Sequence, residues 1–226
     1  MLVHIPGVLN SEQLAEFRRE LEAVTWFDGR GSAGYLSQQV KRNQQLPDTH
    51  PLAQKLGERI LRSLASNPLF TAAALPLKIL PPLFNRYDES QTYGRHVDGA
   101  IRPLSGTPLR IRTDLSATLF LSDPESYDGG ELEVEDTYGP RRIKLPAGDL
   151  VLYPGMSVHR VVPVTRGTRF ASFFWIQSMV REDHKRALLF ELDRCVQKVA
   201  SNAEGHEVAT DLAGVYHNLL RLWADT

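Results

Sequence analysis

One cysteine, Cys195, stands among the 226 residues. A lone thiol excludes an intrachain disulfide and a thiolate zinc cluster, since each needs partners. A charge excess is missing too. The chain carries 26 Lys and Arg against 27 Asp and Glu, for a net charge of -1, and no run of five or six like charges. No nucleic-acid footprint therefore shows. No hydrophobic run approaches membrane-spanning length. The opening "MLVHIPGVLN" is apolar but short, has no basic n-region and meets Pro6 and Gly7 almost at once, so it does not read as a signal peptide. Internal repeats and low-complexity segments are also lacking. These absences lead to the expectation of a soluble cytoplasmic protein that binds neither nucleic acid nor membrane. An apolar content of 42% at this length suffices for one globular domain with a real core.

Three regions follow from the periodicity. The first 65 residues read as helical. "SEQLAEFRRELEAV" sets Leu14, Phe17, Leu21 and Val24 near helical spacing behind Asn10 or Ser11 as N-cap, and "PLAQKLGERILRSL" does the same with Leu52, Leu56, Ile60 and Leu64 behind Pro51. The intervening "DGRGSAGYLSQQVKRNQQL" is polar, too long for a simple turn and not obviously helical. From about residue 76 the period shortens: "LPLKILPPLFNRY", "LSATLFLSD", "GGELEVED", "RRIKL", "GDLVLYPG", "VHRVVPV" and "TRFASFFWIQS" are β-prone segments divided by Gly, Pro, Asp and Ser. So many short strands without intervening helices predict a sandwich or jelly-roll rather than βαβ units. Beyond Arg181 the pattern is helical again. Leu188, Leu192, Cys195, Val196 and Val199 share one face, and Leu212, Val215, Tyr216, Leu219 and Trp223 share another, with "SNAEGHE" as connector.

Within the β region, "GRHVDGA" places His96 and Asp98 two apart. In an extended strand both side chains point one way and Val97 the other. A nitrogen and an oxygen ligand from one strand end are two-thirds of the 2-His-1-carboxylate triad typical of non-haem Fe(II). The pair alone is a weak motif, and a solvated turn is its common fate. A second histidine would have to come from another strand. His4, His50, His184, His206 and His217 lie outside the β region, which leaves His159, at the start of "VHRVVPV" just after a Pro-Gly turn. Ten residues on, Arg169 opens "RFASFFW", where alternation puts Arg169, Ala171, Phe173 and Trp175 on one face. A guanidinium at the rim of such an apolar face needs a counter-anion, and no flanking acid is an obvious partner. A ligand carboxylate would satisfy it by a bidentate pair.

His96-x-Asp98, the distal His159 and Arg169 together resemble the iron(II)- and 2-oxoglutarate-dependent dioxygenases of the prolyl/lysyl hydroxylase type, over about residues 77 to 178. The flanks, in "DGRGSAGYLSQQVKRNQQL" and "YHNLLRLW", are similar to one bacterial subgroup, the PKHD-type hydroxylases described as iron-uptake factors. The resemblance implies an α+β chain: a double-stranded β-helix (jelly-roll) core at 77–178, an N-terminal helical region at 1–76 packing on it, and a C-terminal helical extension at 179–226. It implies that His96, Asp98 and His159 hold Fe(II), and that 2-oxoglutarate chelates the metal while Arg169 clamps its distal carboxylate. O2 is the other co-substrate. The implied reaction couples decarboxylation of 2-oxoglutarate to succinate and CO2 with hydroxylation of a C–H bond. L-Ascorbate, as the agent that keeps the iron ferrous, is a further candidate requirement.

A second group to help Arg169 is open at this stage. Tyr87 stands where related hydroxylases carry a pocket tyrosine, and Tyr93 lies close by. Phe120 occupies a position that carries a phenol in some relatives, so Ser116 or Thr118 on that face are alternatives. Arg102, Arg110 and Arg112 either face an acidic substrate or form a solvated basic loop. Asn43, Gln44 and Gln45 match the subgroup without a role that chemistry assigns. Gly129 and Gly130 suit a turn or bulge, and Phe173, Phe174 and Trp175 suit the barrel core. The substrate is a small molecule or a protein side chain, with a link to iron uptake implied by the subgroup alone. The C-terminal helices either pack on the core or join subunits of a homo-oligomer. The competing function is a non-catalytic metal or 2-oxo-acid sensor on the same barrel.

Overall fold

The computed structural model describes residues 1–202 and 205–226. Ala203 and Glu204, in the expected connector between the last two helices, lie outside the described residues.

Strand alternation builds two antiparallel sheets that share one inner face. The larger runs in the order Val3–Ile5, Leu150–Pro154, Leu115–Phe120, Arg169–Ser178, Leu83–Tyr87, Gln44–Gln45 and Phe27–Asp28, with Pro76–Ile79 also paired to Arg169–Ser178. The smaller runs Gly139–Ile143, Leu132–Asp136, His159–Val161, Thr92–His96 and Lys41–Arg42. Tyr87, Phe120, Val151 and Tyr153 of the first sheet pack with Leu132, Val134, Ile143 and Val161 of the second, closing a jelly-roll. The alternate residues of the larger sheet, among them Leu115, Ala117, Leu119 and Phe170, face the helices instead. This is the α+β, double-stranded β-helix plan that the short segments predict.

The N-terminal helices form for local reasons. Asn10 caps Ser11–Ala23 in a reciprocal box with Gln13, and Phe17 and Leu21 are buried. Pro51–Ala65 opens on a proline, with the His50 ring accepting from the Leu52 amide, and buries Leu56, Ile60 and Leu64. Both lie on the outer face of the larger sheet.

The expectation that the first 65 residues are helical needs correction. Val3–Ile5, Phe27–Asp28, Lys41–Arg42 and Gln44–Gln45 are strands that extend both sheets. These segments are too short to show a period, and they form because barrel edges offer unpaired backbone groups. His4 therefore lies in a strand, where its ring meets Asp149 at 2.7 Å. "DGRGSAGYLSQQVKRNQQL" folds into a 3-10 turn at Gly29–Ser32, a helical turn at Tyr35–Gln38 and the strands Lys41–Arg42 and Gln44–Gln45.

The C-terminal helices Asp183–Ala200 and His206–Trp223 pack on each other and against Leu75 and Val180. Tyr216, Leu219 and Trp223 of the last helix pack inward as predicted, but other positions differ. Leu189 and Phe190 are inside, whereas Leu188, Cys195 and Val215 are exposed. The run Leu188-Leu189-Phe190 offers two apolar faces, and contact with the barrel selects the second.

Candidate metal centre

His96 ends the strand Thr92–His96, and Asp98 lies two residues beyond it. His159 opens its own strand, pairs with Val134, and stands directly across from His96. One ligand atom from each of the three lies within 4.8 Å of the others. The hydrogen bonds around the rings set their chemistry. His96 Nδ1 donates to the Gly94 carbonyl at 2.8 Å, and His159 Nδ1 donates to the Ser157 carbonyl at 3.0 Å. A carbonyl only accepts, so each Nδ1 carries the proton and each Nε2 keeps a free lone pair for a metal. Ser116 Oγ donates to Asp98 Oδ2 at 2.7 Å and orients the carboxylate. Burial, reinforced by the neighbouring His159, pushes the His96 imidazole well below its ordinary pKa and keeps it neutral. Two imidazoles and one carboxylate suit a divalent ion of the iron type.

Val97 does not turn away as strict alternation predicts. Asp98 is past the strand end, and Val97 is exposed and lines the same cavity as its neighbours.

Arg169 lies inside the barrel rather than at its rim. It is 1% exposed, paired in register with Tyr87, and its guanidinium sits 5.3 Å from the Tyr87 ring centroid and 5.4 Å from that of Phe120. Its Nε and Nη1 are buried with no acceptor among the described residues. The Tyr127 hydroxyl is buried and, among the described residues, lacks a well-formed hydrogen bond as well, although it lies close enough to feel Arg169. Gly130 makes this arrangement possible. Its φ is +66°, and a Cβ there would come within 3.1 Å of Arg169 Cδ. Burial pushes the Tyr87 phenol up to about 12, against the pull of Arg169 and the adjacent Asn43 amide. It stays protonated, a donor. A carboxylate seated here would find an arginine fork with phenol donors beside it, the environment that chelation of a diacid requires.

One cavity, with about 710 Å³ of empty space counting its open mouth, joins the triad to Arg169. Its far wall holds two more cations. Lys41 is buried; its Nζ donates to Ser32 Oγ at 2.7 Å and to Gln45 Oε1 at 2.9 Å, and lies 5.1 Å from the Tyr93 ring centroid. Burial, then the nearby Arg102, pushes Lys41 down to about 8. Arg102 stacks 3.9 Å from the Trp175 ring centroid and donates to the Ser32 carbonyl at 3.3 Å. Gly94 brings Lys41 to this place, because a Cβ on Gly94 would stand 2.7 Å from Val40 Cβ. The edge strand Lys41–Arg42 thus approaches Thr92–His96 closely.

All five sequence-predicted site residues, His96, Asp98, His159, Arg169 and Tyr87, line this cavity. Tyr93 also lines it, stacked on His96 with ring centroids 3.6 Å apart. Ser116 serves Asp98 instead of the Arg169 end, whereas Thr118 lies beside the buried Tyr153. Arg112 pairs with Asp114 at 2.6 Å, so of the three loop arginines only Arg102 lines the cavity. Trp175 and Phe173 are cavity wall as well as core. Gln44 donates to Asp88 at 2.9 Å. Lys41, Asn85, Tyr127 and Tyr153 escaped the sequence reading. None stands in a motif, and only the fold brings them together.

The comparisons with known proteins agree with this geometry. Residues 82–177 match the model of the 2OG-Fe(II) oxygenase superfamily, and residues 183–225 match the PKHD-type hydroxylase C-terminal domain. A PKHD-type hydroxylase of Bordetella pertussis is 58% identical over 225 residues, covering 100% of both chains. Among solved structures, a prolyl hydroxylase of Trichoplax adhaerens, in complex with a hypoxia inducible factor peptide fragment, is similar with a TM-score of 0.57. That match has 13% identity and covers 83% of this chain and 86% of the other. HygX from Streptomyces hygroscopicus, with nickel, 2-oxoglutarate and hygromycin B bound, has a TM-score of 0.53 at 18% identity, covering 78% of this chain and 82% of its own. No helix among the described residues is long and apolar enough to cross a membrane. Full-length identity at this level and the two family matches converge on one conclusion: the chain belongs to the PKHD-type hydroxylases of the 2OG-Fe(II) oxygenase superfamily, enzymes that work with iron(II), 2-oxoglutarate and O2.

Proposed function

We propose that His96, Asp98 and His159 hold the iron, that Arg169 binds the distal carboxylate of 2-oxoglutarate, and that Tyr87 assists it. The observation that carries this reading is the single cavity in which a three-donor cluster faces a buried guanidinium whose Nε and Nη1 lack acceptors among the described residues. When bound, the iron and 2-oxoglutarate supply oxidative decarboxylation and the oxidising power that inserts oxygen into a C–H bond. The chain's own part is positional. Gly94 and Ser157 carbonyls hold the two imidazoles in the ligating tautomer, Ser116 holds the carboxylate, and Arg169 fixes the pose of the diacid. Tyr153, Leu132 and Val161 wall the interior against water.

The substrate is a small molecule or a protein side chain. Proteins of this fold have been captured with a peptide fragment and with hygromycin B, so the architecture accepts both classes. A link to iron uptake, and with it a siderophore-like compound, rests on the subgroup resemblance. Of the three segments, 77–178 forms most of the barrel, 1–76 covers it and adds four strands to its sheets, and 179–226 is a helical extension. Exposed Leu188, Val208, Val215 and Leu222 on the last two helices support a homo-oligomer formed there, which sedimentation velocity would detect. A cytoplasmic location fits the reading.

Anaerobic titration with Fe(II) and then 2-oxoglutarate tests the site. The wild type is expected to develop a weak visible charge-transfer band and to release succinate when O2 is admitted. His159→Ala is expected to lose iron affinity by more than about a hundredfold. Arg169→Ala is expected to keep iron and lose the band at moderate 2-oxoglutarate. Equal 2-oxoglutarate affinity in wild type and Arg169→Ala would sink the clamp.

A further inference from the structure

Two cations of the cavity wall are left unused by the reading above. Among the described residues Lys41 has only neutral acceptors, Ser32 Oγ and Gln45 Oε1, and Arg102 has only the Ser32 carbonyl. Neither forms a salt bridge with a carboxylate among the described residues. The acid whose field reaches both is Asp98, which is already held by Ser116 and lies 3.7 Å from His159 Nε2. A buried cation without a counter-anion is costly unless something satisfies it.

Their place along one strand separates them from Arg169. Arg169, Phe173 and Trp175 lie on the same face of Arg169–Ser178. Lys41 Nζ sits 5.8 Å from the Phe173 ring centroid, and Arg102 sits over Trp175. At strand rise those positions are about 13 Å and about 20 Å beyond Arg169. A diacid chelated at the triad places its far carboxylate on Arg169, away from both cations. Its two carboxylates and that of Asp98 balance a divalent ion and Arg169, which leaves Lys41 and Arg102 as net positive charge on the cavity wall.

From this geometry we infer that Lys41 and Arg102 form an anion-binding pair for the molecule to be hydroxylated, which carries a carboxylate on an apolar or aromatic body. Resting on the proposed function above, the inference names its substrate class. Ser32 couples the pair, accepting from Lys41 through its hydroxyl and from Arg102 through its carbonyl. Tyr93, Phe173 and Trp175 furnish the apolar walls, with the last two rings edge to face at 5.5 Å. Arg is well suited to this task, because its fork grips a carboxylate while its face stays on an indole.

The test uses the full-length protein, loaded anaerobically with Fe(II) and 2-oxoglutarate, and titrated with benzoate, benzamide and benzylammonium. Binding is followed by calorimetry and by tryptophan fluorescence, to which Trp175 contributes. Benzoate is expected to bind at least about tenfold more tightly than benzamide, and benzylammonium not to bind. Lys41→Met and Arg102→Met are each expected to weaken benzoate about tenfold or more, with iron and 2-oxoglutarate affinities unchanged. Arg102 is only partly buried, so its variant remains informative if Lys41→Met folds poorly. Failure of benzoate to bind, equal binding of benzoate and benzamide, or benzoate affinity unmoved in Arg102→Met would overturn the pair. Loss of 2-oxoglutarate affinity in Lys41→Met would reassign that lysine to the co-substrate and overturn it too. Absence of the 2-oxoglutarate band in the wild type would instead overturn the proposed site itself.

Discussion

Arg169 and Arg186 are both 1% exposed, yet the chain treats them in opposite ways. Arg186 Nη1 donates to the carbonyls of Val180 and Arg181 at 2.7 Å, and its Nη2 donates to Asp183 at 3.0 Å. Asp183 also receives the N-terminal amine of Met1, so this arginine ties the first residue to the C-terminal helices. Arg186 leaves its Nε alone without an acceptor, whereas Arg169 has aromatic rings around it and neither its Nε nor its Nη1 has an acceptor among the described residues. One guanidinium is closed by its own backbone and the other is open toward a cavity. Equal burial with unequal satisfaction separates a structural cation from a binding one.

Parallel substitutions are the strongest way to break this comparison. Arg169→Met is expected to weaken 2-oxoglutarate binding by at least about a hundredfold, the usual cost of removing one partner of a buried charge pair. Without ligand its melting temperature should stay near that of wild type, because the lost group had few bonds to lose. Arg186→Met should do the reverse. It strands two carbonyls and leaves Asp183 to the Met1 amine, costs about 3 kcal/mol, and lowers Tm by roughly 6 to 12 °C, with 2-oxoglutarate affinity unchanged in the folded fraction. Calorimetric melting and ligand titration on both variants decide the matter. A large fall in Tm for ligand-free Arg169→Met would erase the distinction.

Arg169 was legible in the sequence, and Arg186 was not. A cation at an inward position of an apolar strand violates alternation, as do His96 and His159, and such violations mark sites. Arg186 sits in a helix rich in charge, where one more arginine is ordinary. Its partners Val180 and Arg181 are backbone groups just before the helix, and residue type does not reveal them. Lys41 was hidden for a related reason. It lies on a two-residue edge strand whose pairing with Tyr93 depends on the missing side chain of Gly94. The jelly-roll itself was readable from period-2 segments, while the four short N-terminal strands were not, since they exist only as additions to edges already built. The helix faces at Leu188 and Cys195 misled for want of tertiary contact information.

Gly130 gives a subtler test of how Arg169 is held open. Gly130→Ala introduces a Cβ that meets Arg169 Cδ at 3.1 Å and Tyr127 Cε2 at 3.0 Å, in a backbone with φ of +66°. The left-handed backbone costs about 1 to 2 kcal/mol of stability, and displacement of the guanidinium is expected to lower 2-oxoglutarate affinity about tenfold. Gly139→Ala serves as the control. Its φ is +106° with nothing within 4 Å, so it should lose stability alone. Equal 2-oxoglutarate affinities in the two variants would show that Gly130 does not position Arg169.

Lys41 is the intermediate case, a buried cation with two neutral acceptors. Its pKa falls from 10.5 to about 8 through burial first and Arg102 second. A lysine whose folded pKa is depressed opposes folding while it is charged. That cost is present in full below the folded value and fades as pH rises through the window from about 8 to 10.5, where the unfolded chain still binds the proton. At 1.36 kcal/mol per unit the cost at neutral pH is roughly 3 kcal/mol, partly offset by the bonds to Ser32 and Gln45. Lys41→Met is therefore expected to stabilise the ligand-free protein by about 1 kcal/mol at pH 7. The gain should shrink toward zero, or reverse, near the upper end of that window, because the wild type alone recovers stability there. Matched denaturant melts of the two proteins at neutral and alkaline pH measure the difference directly. A variant less stable than wild type at pH 7 would place Lys41 with Arg186, as a cation that the chain itself satisfies.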